Sequence, residues 1–164
     1  MSRLDRRDIT VDIIFKPTPK FNMGVEDIIL EHEKLCKQSG AVWLGSCVKS
    51  SEKTIRLIDE KEHDIRFVFV AEKTGDYKAI YTADLIDIKI YKGEQKGYLN
   101  DNIPCPEYYK FEEKKGWFKL TNFKKLAEGE VNLDDYKLLF WSDKKVVSKS
   151  IKSRPCLLYA YKKN

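Results

Sequence analysis

The sequence predicts an α+β fold: a compact β-barrel of five or six strands with two or three short helices. Several segments alternate apolar and polar residues, or form short apolar runs, between glycines and prolines, as strands do. A segment near the N-terminus instead has apolar residues at helical spacing. Two of the strand segments are joined by a short turn, which predicts a central hairpin. With 42% hydrophobic and 35% charged residues, the 164 residues are typical of one folded domain, residues 1–164.

The first three elements alternate between strand and helix. Apolar residues recur with a period of two over residues 9–15, which indicates a strand. Residues 25–38 have apolar side chains at helical spacing, and acids fill the first turn, where the helix dipole favours negative charge. The apolar run over residues 41–48 predicts a second strand. Gly45 within it indicates a bulge, or a place where another backbone or a ligand comes close.

The middle of the chain predicts a short helix followed by a hairpin. Residues 51–61 have the spacing of a short amphipathic helix. Residues 65–70 are almost wholly apolar and predict a buried strand. A Thr-Gly-Asp turn follows, and residues 77–91 then alternate for long enough to form one long strand with room for a bulge.

The last third of the chain predicts loops and two further strands. Two glycines and two prolines make residues 93–109 a loop, and residues 116–123 are typical of a strand. Residues 129–132 predict a turn, and residues 134–152 are helical only in pieces. Residues 156–161 predict the closing strand.

The excess positive charge is concentrated at the C-terminal end. The last 24 residues contain seven Lys/Arg and one acid, a net charge of +6. The first 140 residues contain 24 basic and 25 acidic residues, a net charge of −1. A local concentration of this kind affects the choice of partner more than the total of +5 does, and it favours an acidic partner.

The apolar and cysteine patterns predict a cytoplasmic protein that does not act at a membrane. No run of about 18 apolar residues occurs, and the first residues are charged, so we expect neither a transmembrane helix nor a secretory signal. The four cysteines are far apart, with no CxxC pair and no neighbouring histidine. This favours reduced thiols, and we expect neither a metal site nor a cofactor.

Four segments, taken in order, resemble the PUA-like superfamily. They are VWLG at 42–45, the hairpin at 67–88, GWFKL at 116–120 and SKSIKSRPCLLYAY at 148–161. The order is most similar to the EVE and YTH branch of PUA-like barrels, over about residues 40–162. Residues 1–40 form a strand and a helix without a clear family counterpart. The resemblance implies a domain that binds RNA or DNA and takes a modified base into an aromatic pocket. A reader domain needs an effector, so we also expect an effector protein as a partner.

Three tryptophans are candidate walls of such a pocket, since stacking a base on an aromatic side chain contributes roughly 1–3 kcal/mol. Glycine or charged residues flank Trp117 and Trp141, which indicates a surface or a rim, and the backbone beside Trp43 could hydrogen-bond a base edge. The candidate base-binding residues are Trp43, Gly45, Ser46, Trp117 and Trp141. The alternative is that each strand tryptophan fills the core.

A basic segment near the C-terminus contains the candidate phosphate-binding residues. They are Lys144, Lys145, Lys149, Lys152 and Arg154, and four serines are interleaved with them. Lysine and arginine neutralise phosphates and release counterions, and serine hydroxyls add short hydrogen bonds to phosphate oxygens. The alternative is a solvated segment that keeps the protein soluble.

These observations favour a nucleic-acid-binding module that recognises a base, plain or modified, over an enzyme. His32 and His63 neighbour no nucleophile motif, and the glycines have no phosphate-loop spacing. An enzyme stays open because acid–base partners can assemble in space from distant positions, and because the related ASCH-type barrels include some hydrolases. A different class also stays open: an adaptor or small subunit that docks on an acidic partner, because basic and aromatic residues also anchor protein interfaces.

Overall fold

The computed structural model describes residues 9–17, 23–48, 65–91, 96–99, 102–110, 112–138, 146, 151 and 156–163. These residues contain one α-helix, α1 (Val25–Ser39), and seven strands. The strands are β1 (Ile9–Lys16), β2 (Val42–Ser46), β3 (Arg66–Lys73), β4 (Asp76–Ile90), β5 (Gly116–Lys125), β6 (Lys137–Leu138) and β7 (Cys156–Lys163). Two short 3₁₀ helices, Glu107–Tyr109 and Leu133–Asp135, complete the elements of the described residues.

All seven strands belong to one mixed sheet, in the order β2-β5-β4-β3-β1-β7-β6. β1 runs parallel to β3, and the other neighbouring pairs are antiparallel. The edge strands β2 and β6 do not pair with each other, so in the described part of the chain the sheet is not a closed barrel. The prediction of a mostly-sheet α+β domain is confirmed, but the closed barrel is wrong. Closure depends on pairing between distant strands, which local patterns do not specify.

The predicted numbers of strands and helices also need correction. The described residues have seven strands rather than five or six, and one α-helix rather than two or three. The added strand is β6, which begins just after the 3₁₀ helix Leu133–Asp135, in the segment predicted to be helical in pieces. Pairing with β7 stabilises this two-residue strand. The predicted helix over 51–61 lies outside the described residues.

α1 confirms the predicted helix because its local signals agree. The Asp27 carboxylate accepts a hydrogen bond from Gly24 N at 3.2 Å, which satisfies one free amide at the N-terminus. At the C-terminus, Gly40 adopts a left-handed conformation with φ of 83° and donates to Cys36 O at 2.7 Å. The helix buries one face, including Ile28 and His32.

The predicted hairpin is confirmed as β3 and β4. Its turn has Thr74 at φ of 50° and Gly75 at φ of 80°, and glycine makes the second of these conformations inexpensive. β4 is 15 residues long, and its pairing shifts register once against β3 and twice against β5. These bulges let a long strand bend with the twisted sheet.

The sheet has an apolar cluster on each of its two faces. The larger cluster contains Ile29 of α1, both described tryptophans and a chain of phenylalanines in contact. The smaller cluster includes Val68 of β3, Leu133 and Ile151. Because β1 alternates between the faces, Ile13 belongs to the larger cluster and Ile14 to the smaller one.

Candidate nucleic-acid interface

Trp43 is fully buried in the larger cluster, with 0% of its surface exposed. The Nζ atoms of Lys89 and Lys119 lie 5.1 Å and 5.9 Å from the centroid of its ring system, so two lysine side chains approach the indole. The indole Nε1 has no hydrogen-bond partner among the described residues. Trp43 therefore offers no open face on which a base could stack in this structure.

Trp117 is also 0% exposed, so the prediction that it lies at a surface or rim is wrong. Its Nε1 donates to Gly97 O at 3.0 Å, and its ring meets Tyr109 edge-on at 6.3 Å. The glycine and charged residues beside it indicated exposure. The segment carrying Gly97, distant in sequence, covers the indole instead, and it is held by a bridge between Gly97 and Lys114.

The close approach predicted at Gly45 exists, but the neighbour is a side chain of the same chain. A Cβ at Gly45 would lie 2.8 Å from Lys114 Cγ and 3.0 Å from Trp117 Cζ3. Ser46 is buried, its carbonyl accepts from Lys115 N at 3.0 Å, and its Oγ accepts from Val48 N at 3.1 Å. The Gly45–Ser46 backbone is therefore packed within the fold and does not face an open base pocket.

Lys114 is the unexpected residue of this region, since a lysine that is only 4% exposed is rare. Its Nζ lies 2.5 Å from a carboxylate oxygen of Glu112, 4.7 Å from the Tyr109 ring centroid and 3.6 Å from Cys47 Sγ. Sequence patterns gave no direct signal for it, because lysines are assigned to the surface by default. Gly45 was an indirect signal, because its missing side chain leaves the space that Lys114 occupies.

His32 is a second buried ionisable group in this part of the core. It is 1% exposed, its Nδ1 donates to Ile28 O at 2.7 Å, and its ring lies 5.7 Å from that of Tyr109. Burial away from water lowers the pKa of His32 to about 4, and the bond to the Ile28 carbonyl offsets only part of this effect. His32 is therefore a neutral core residue at pH 7.

Acidification is expected to destabilise the fold through His32. The unfolded chain takes up a proton near pH 6.5 and the folded chain only near pH 4, so stability falls as the pH drops through this window. The contribution lost between about pH 7 and pH 5 is about 2 kcal/mol. Urea unfolding at both pH values measures it, and the variant His32→Leu serves as the control. Equal pH dependence in the variant and the parent would contradict the assignment.

On the other face of the sheet, the side chains of Asp12, Arg66 and Tyr136 form a largely buried polar network. Asp12 of β1 is 0% exposed and accepts hydrogen bonds from Arg66 Nε at 3.2 Å and from the Tyr136 hydroxyl. Arg66 also donates to the Tyr136 hydroxyl at 3.4 Å. Burial, and next the Asp12 carboxylate, raise the pKa of Tyr136, which keeps its proton on the hydroxyl. The network fixes the residues that lead into β6.

The described part of the C-terminal region shows where the basic segment is attached. Val146 bridges to Lys137 of β6, and Ile151 is buried in the smaller apolar cluster. On β7, Lys162 is half-buried with its Nζ 5.5 Å from the Tyr136 ring centroid, and Lys163 is exposed. Val146 and Ile151, two residues within the range of the basic segment, are therefore held next to β6 and the smaller cluster.

The remaining candidate residues lie outside the described residues. They are Trp141, Lys144, Lys145, Lys149, Lys152 and Arg154. Their roles as a base wall and as phosphate ligands stay predictions.

The described indoles and Val146 lie towards opposite edges of the sheet. β2, which carries Trp43, is one edge strand, and β6, which pairs with Val146, is the other. Five strands separate them in the hydrogen-bonded order. Trp43 and Trp117, both 0% exposed, therefore wall no base pocket within the described residues, and the basic residues predicted for its rim lie outside them.

A shallow groove of about 250 Å³ lies between the end of α1 and β5. Its lining includes Phe123 and also Lys37, whose ammonium is ion-paired to Glu33 at 3.0 Å. Across the described ranges, no three His, Cys, Asp or Glu side chains come together as metal ligands. Neither observation indicates a catalytic centre.

A comparison with protein-family models decides the family. A model described as Pua-like matches residues 21–154, most of the chain. The chain belongs to the PUA-like family. The predicted resemblance to the PUA-like superfamily is thereby confirmed, whereas the EVE and YTH branch stays a prediction. No curated protein and no solved structure gave a match.

The family places this PUA-like chain among binding modules. PUA-like domains typically bind nucleic acid and are generally not enzymes. The matched range contains α1 and β2 to β6, and β1 precedes it. None of the helices in the described residues is long and apolar enough to cross a bilayer.

Proposed function

We propose that this PUA-like domain binds nucleic acid through a basic surface at the β6–β7 edge of its sheet. The observation that carries the proposal is the net charge of +6 in the last 24 residues. Two residues of this stretch, Val146 and Ile151, contact β6 and the smaller apolar cluster. Family membership supports the choice of nucleic acid over other acidic partners. The cytoplasmic location and the effector protein stay predictions.

The basic surface comprises the basic segment, Lys144 to Arg154, and described lysines that flank it. Lys137 and Lys163 are exposed, and Lys162 is half-buried beside the Tyr136 ring. Of the carboxylates near this edge, Asp12 is buried and bonded to Arg66 and Tyr136, whereas Asp134 and Asp135 before β6 are exposed. Lysine and arginine side chains that lie together on one surface can neutralise the phosphates of a nucleic-acid strand and release counterions.

Base recognition, if it follows the EVE and YTH pattern, depends on Trp141 rather than on the two buried indoles. Trp141 follows β6 closely in sequence and begins the C-terminal stretch that holds the excess charge. A base stacked there would lie next to the phosphate-binding lysines. Replacement of Trp141 is then expected to remove discrimination between plain and modified bases, and to leave most of the general affinity.

Salt dependence tests the proposal. If five lysine and arginine side chains each neutralise one phosphate of a single strand, the logarithm of the association constant falls against the logarithm of salt concentration with a slope of about −3.5. Fluorescence anisotropy with labelled RNA and DNA oligonucleotides of mixed sequence, over a salt series, measures the slope. A flat dependence, or no binding to either oligonucleotide at low salt, would overturn the proposal.

A further inference from the structure

A cysteine and a buried lysine lie in contact at the end of β2, away from the proposed basic surface. Cys47 follows β2 directly and is exposed as a free thiol. The ammonium nitrogen of Lys114 lies 3.6 Å from its sulfur. The charged end of a lysine side chain usually extends into solvent, but Lys114 is only 4% exposed.

The fold holds the lysine against the thiol. The Lys114 side chain lies across Gly45, where an added Cβ would be 2.8 Å from Cγ and 3.1 Å from Cε. Its backbone exchanges two hydrogen bonds with Gly97, both of 3.0 Å, and its Nζ lies 4.7 Å from the Tyr109 ring centroid. The rotamer freedom of a long side chain is therefore already lost, which raises the effective concentration of its amine at the sulfur.

A proton acceptor lies in contact with the Lys114 ammonium. A Glu112 carboxylate oxygen lies 2.5 Å from Lys114 Nζ, and Glu112 is partly exposed, with 34% of its side chain accessible. An ammonium must lose a proton before its nitrogen lone pair can attack. Glu112, in contact with Nζ, is the acceptor for that proton when the nitrogen attacks.

We propose that Cys47 and Lys114 form a reversible sulfenamide bond when the protein meets hydrogen peroxide. The exposed thiol first attacks peroxide, whose O–O bond breaks, and gives a sulfenic acid and one water. The Lys114 nitrogen then attacks the sulfur, the S–N bond forms and the S–O bond breaks, and the hydroxyl leaves as a second water. Sulfur loses two electrons, peroxide gains two, and one ammonium proton goes to Glu112.

The bond has a structural consequence at this end of the sheet. The bond joins Cys47, the residue after β2, to the Lys114 side chain, which already fills the space at Gly45. It also removes the ammonium charge of Lys114. Because a thiol reducing agent cleaves an S–N bond of this kind, the change is a reversible response to peroxide rather than damage.

The test uses a chain in which Cys47 is the only thiol, Cys36→Ser/Cys105→Ser/Cys156→Ser. Peroxide treatment is expected to give a species lighter than the reduced chain by two hydrogen atoms. With no second thiol in the monomer, a disulfide cannot produce this mass. A proteolytic digest should contain one peptide pair joined at Cys47 and Lys114, and dithiothreitol should separate it.

Two lysine variants complete the experiment. Lys115→Arg, next to the proposed nucleophile, should still form the bond, whereas Lys114→Arg should give only oxygen adducts of Cys47. If Lys114→Arg does not fold, the linked peptides of the parent chain decide the question. Oxygen adducts without the lighter species in the parent chain, or a link from Cys47 to any other lysine, would overturn the proposal.

Discussion

Replacement of Asp12 with alanine is expected to lower the free energy of unfolding by about 3 kcal/mol. Asp12 is completely buried and accepts hydrogen bonds from Arg66 and Tyr136. Without the carboxylate, the guanidinium would lose its counterion and the tyrosine hydroxyl its acceptor. The value is at the lower end of the range of about 3–5 kcal/mol for broken buried pairs, because 31% of the Arg66 side chain is accessible to water.

Urea unfolding of matched variants tests this expectation. Tyr136→Phe removes one donor to Asp12 and should cost about 1 kcal/mol. Asp76→Ala removes a carboxylate that is 71% exposed and ion-paired to Lys78, and should change stability by less than about 0.5 kcal/mol. If Asp12→Ala is tolerated as well as Asp76→Ala, the buried network does not stabilise the fold.

The second large effect is expected at Trp117, where alanine should lower the free energy of unfolding by about 3–5 kcal/mol. The indole is fully buried, contacts Tyr109 and donates to Gly97 O. Alanine would leave a cavity and remove this tie to the segment that covers the core. A tryptophan that formed an open wall for a base would instead tolerate the change with a cost below about 1 kcal/mol.

Phenylalanine variants of the two buried tryptophans provide the control for packing. Trp43→Phe and Trp117→Phe remove similar volumes from one cluster, but only Trp117 Nε1 has a hydrogen-bond partner in the described structure. Trp117→Phe is therefore expected to cost up to about 1 kcal/mol more than Trp43→Phe. Equal costs would show that the bond to Gly97 contributes nothing.

The elements that the sequence predicts correctly are those with local causes. α1 combines helical spacing, an acidic first turn and Gly40 at its end. The β3–β4 hairpin combines alternation with a turn that contains Gly75. The parallel pairing of β1 with β3, the open sheet and β6 depend on contacts between segments far apart in sequence, and no local pattern specifies them.

The candidate site shows the same limit. Side chains beside Trp117 in sequence indicated exposure, but the residue that covers its indole is Gly97, twenty positions earlier. Gly45 correctly indicated a close approach, and the pattern could not tell a ligand from the side chain of Lys114. Sequence predicts that space is needed at such a position, whereas only the fold determines what occupies it.

The five basic residues of the segment Lys144 to Arg154 lie outside the described residues, so their role as phosphate ligands stays a prediction. The charge of the segment follows directly from the sequence, and Val146 and Ile151 within its range are held next to β6 and the smaller cluster. The two buried indoles contribute to the core rather than to a nucleobase pocket. We therefore propose nucleic-acid binding at one edge of the sheet and not in its aromatic core.

The triple variant Lys145→Ala/Lys149→Ala/Lys152→Ala tests this claim most directly. Its affinity for RNA or DNA oligonucleotides should fall on the order of a hundredfold at about 0.1 M salt, and the salt slope should become shallower by about 2. The matched control Lys34→Ala/Lys78→Ala/Lys125→Ala removes the same charge from exposed positions on α1, β4 and β5, and should bind almost as the parent does. Equal losses in the two variants, or unchanged affinity in the first, would contradict the account.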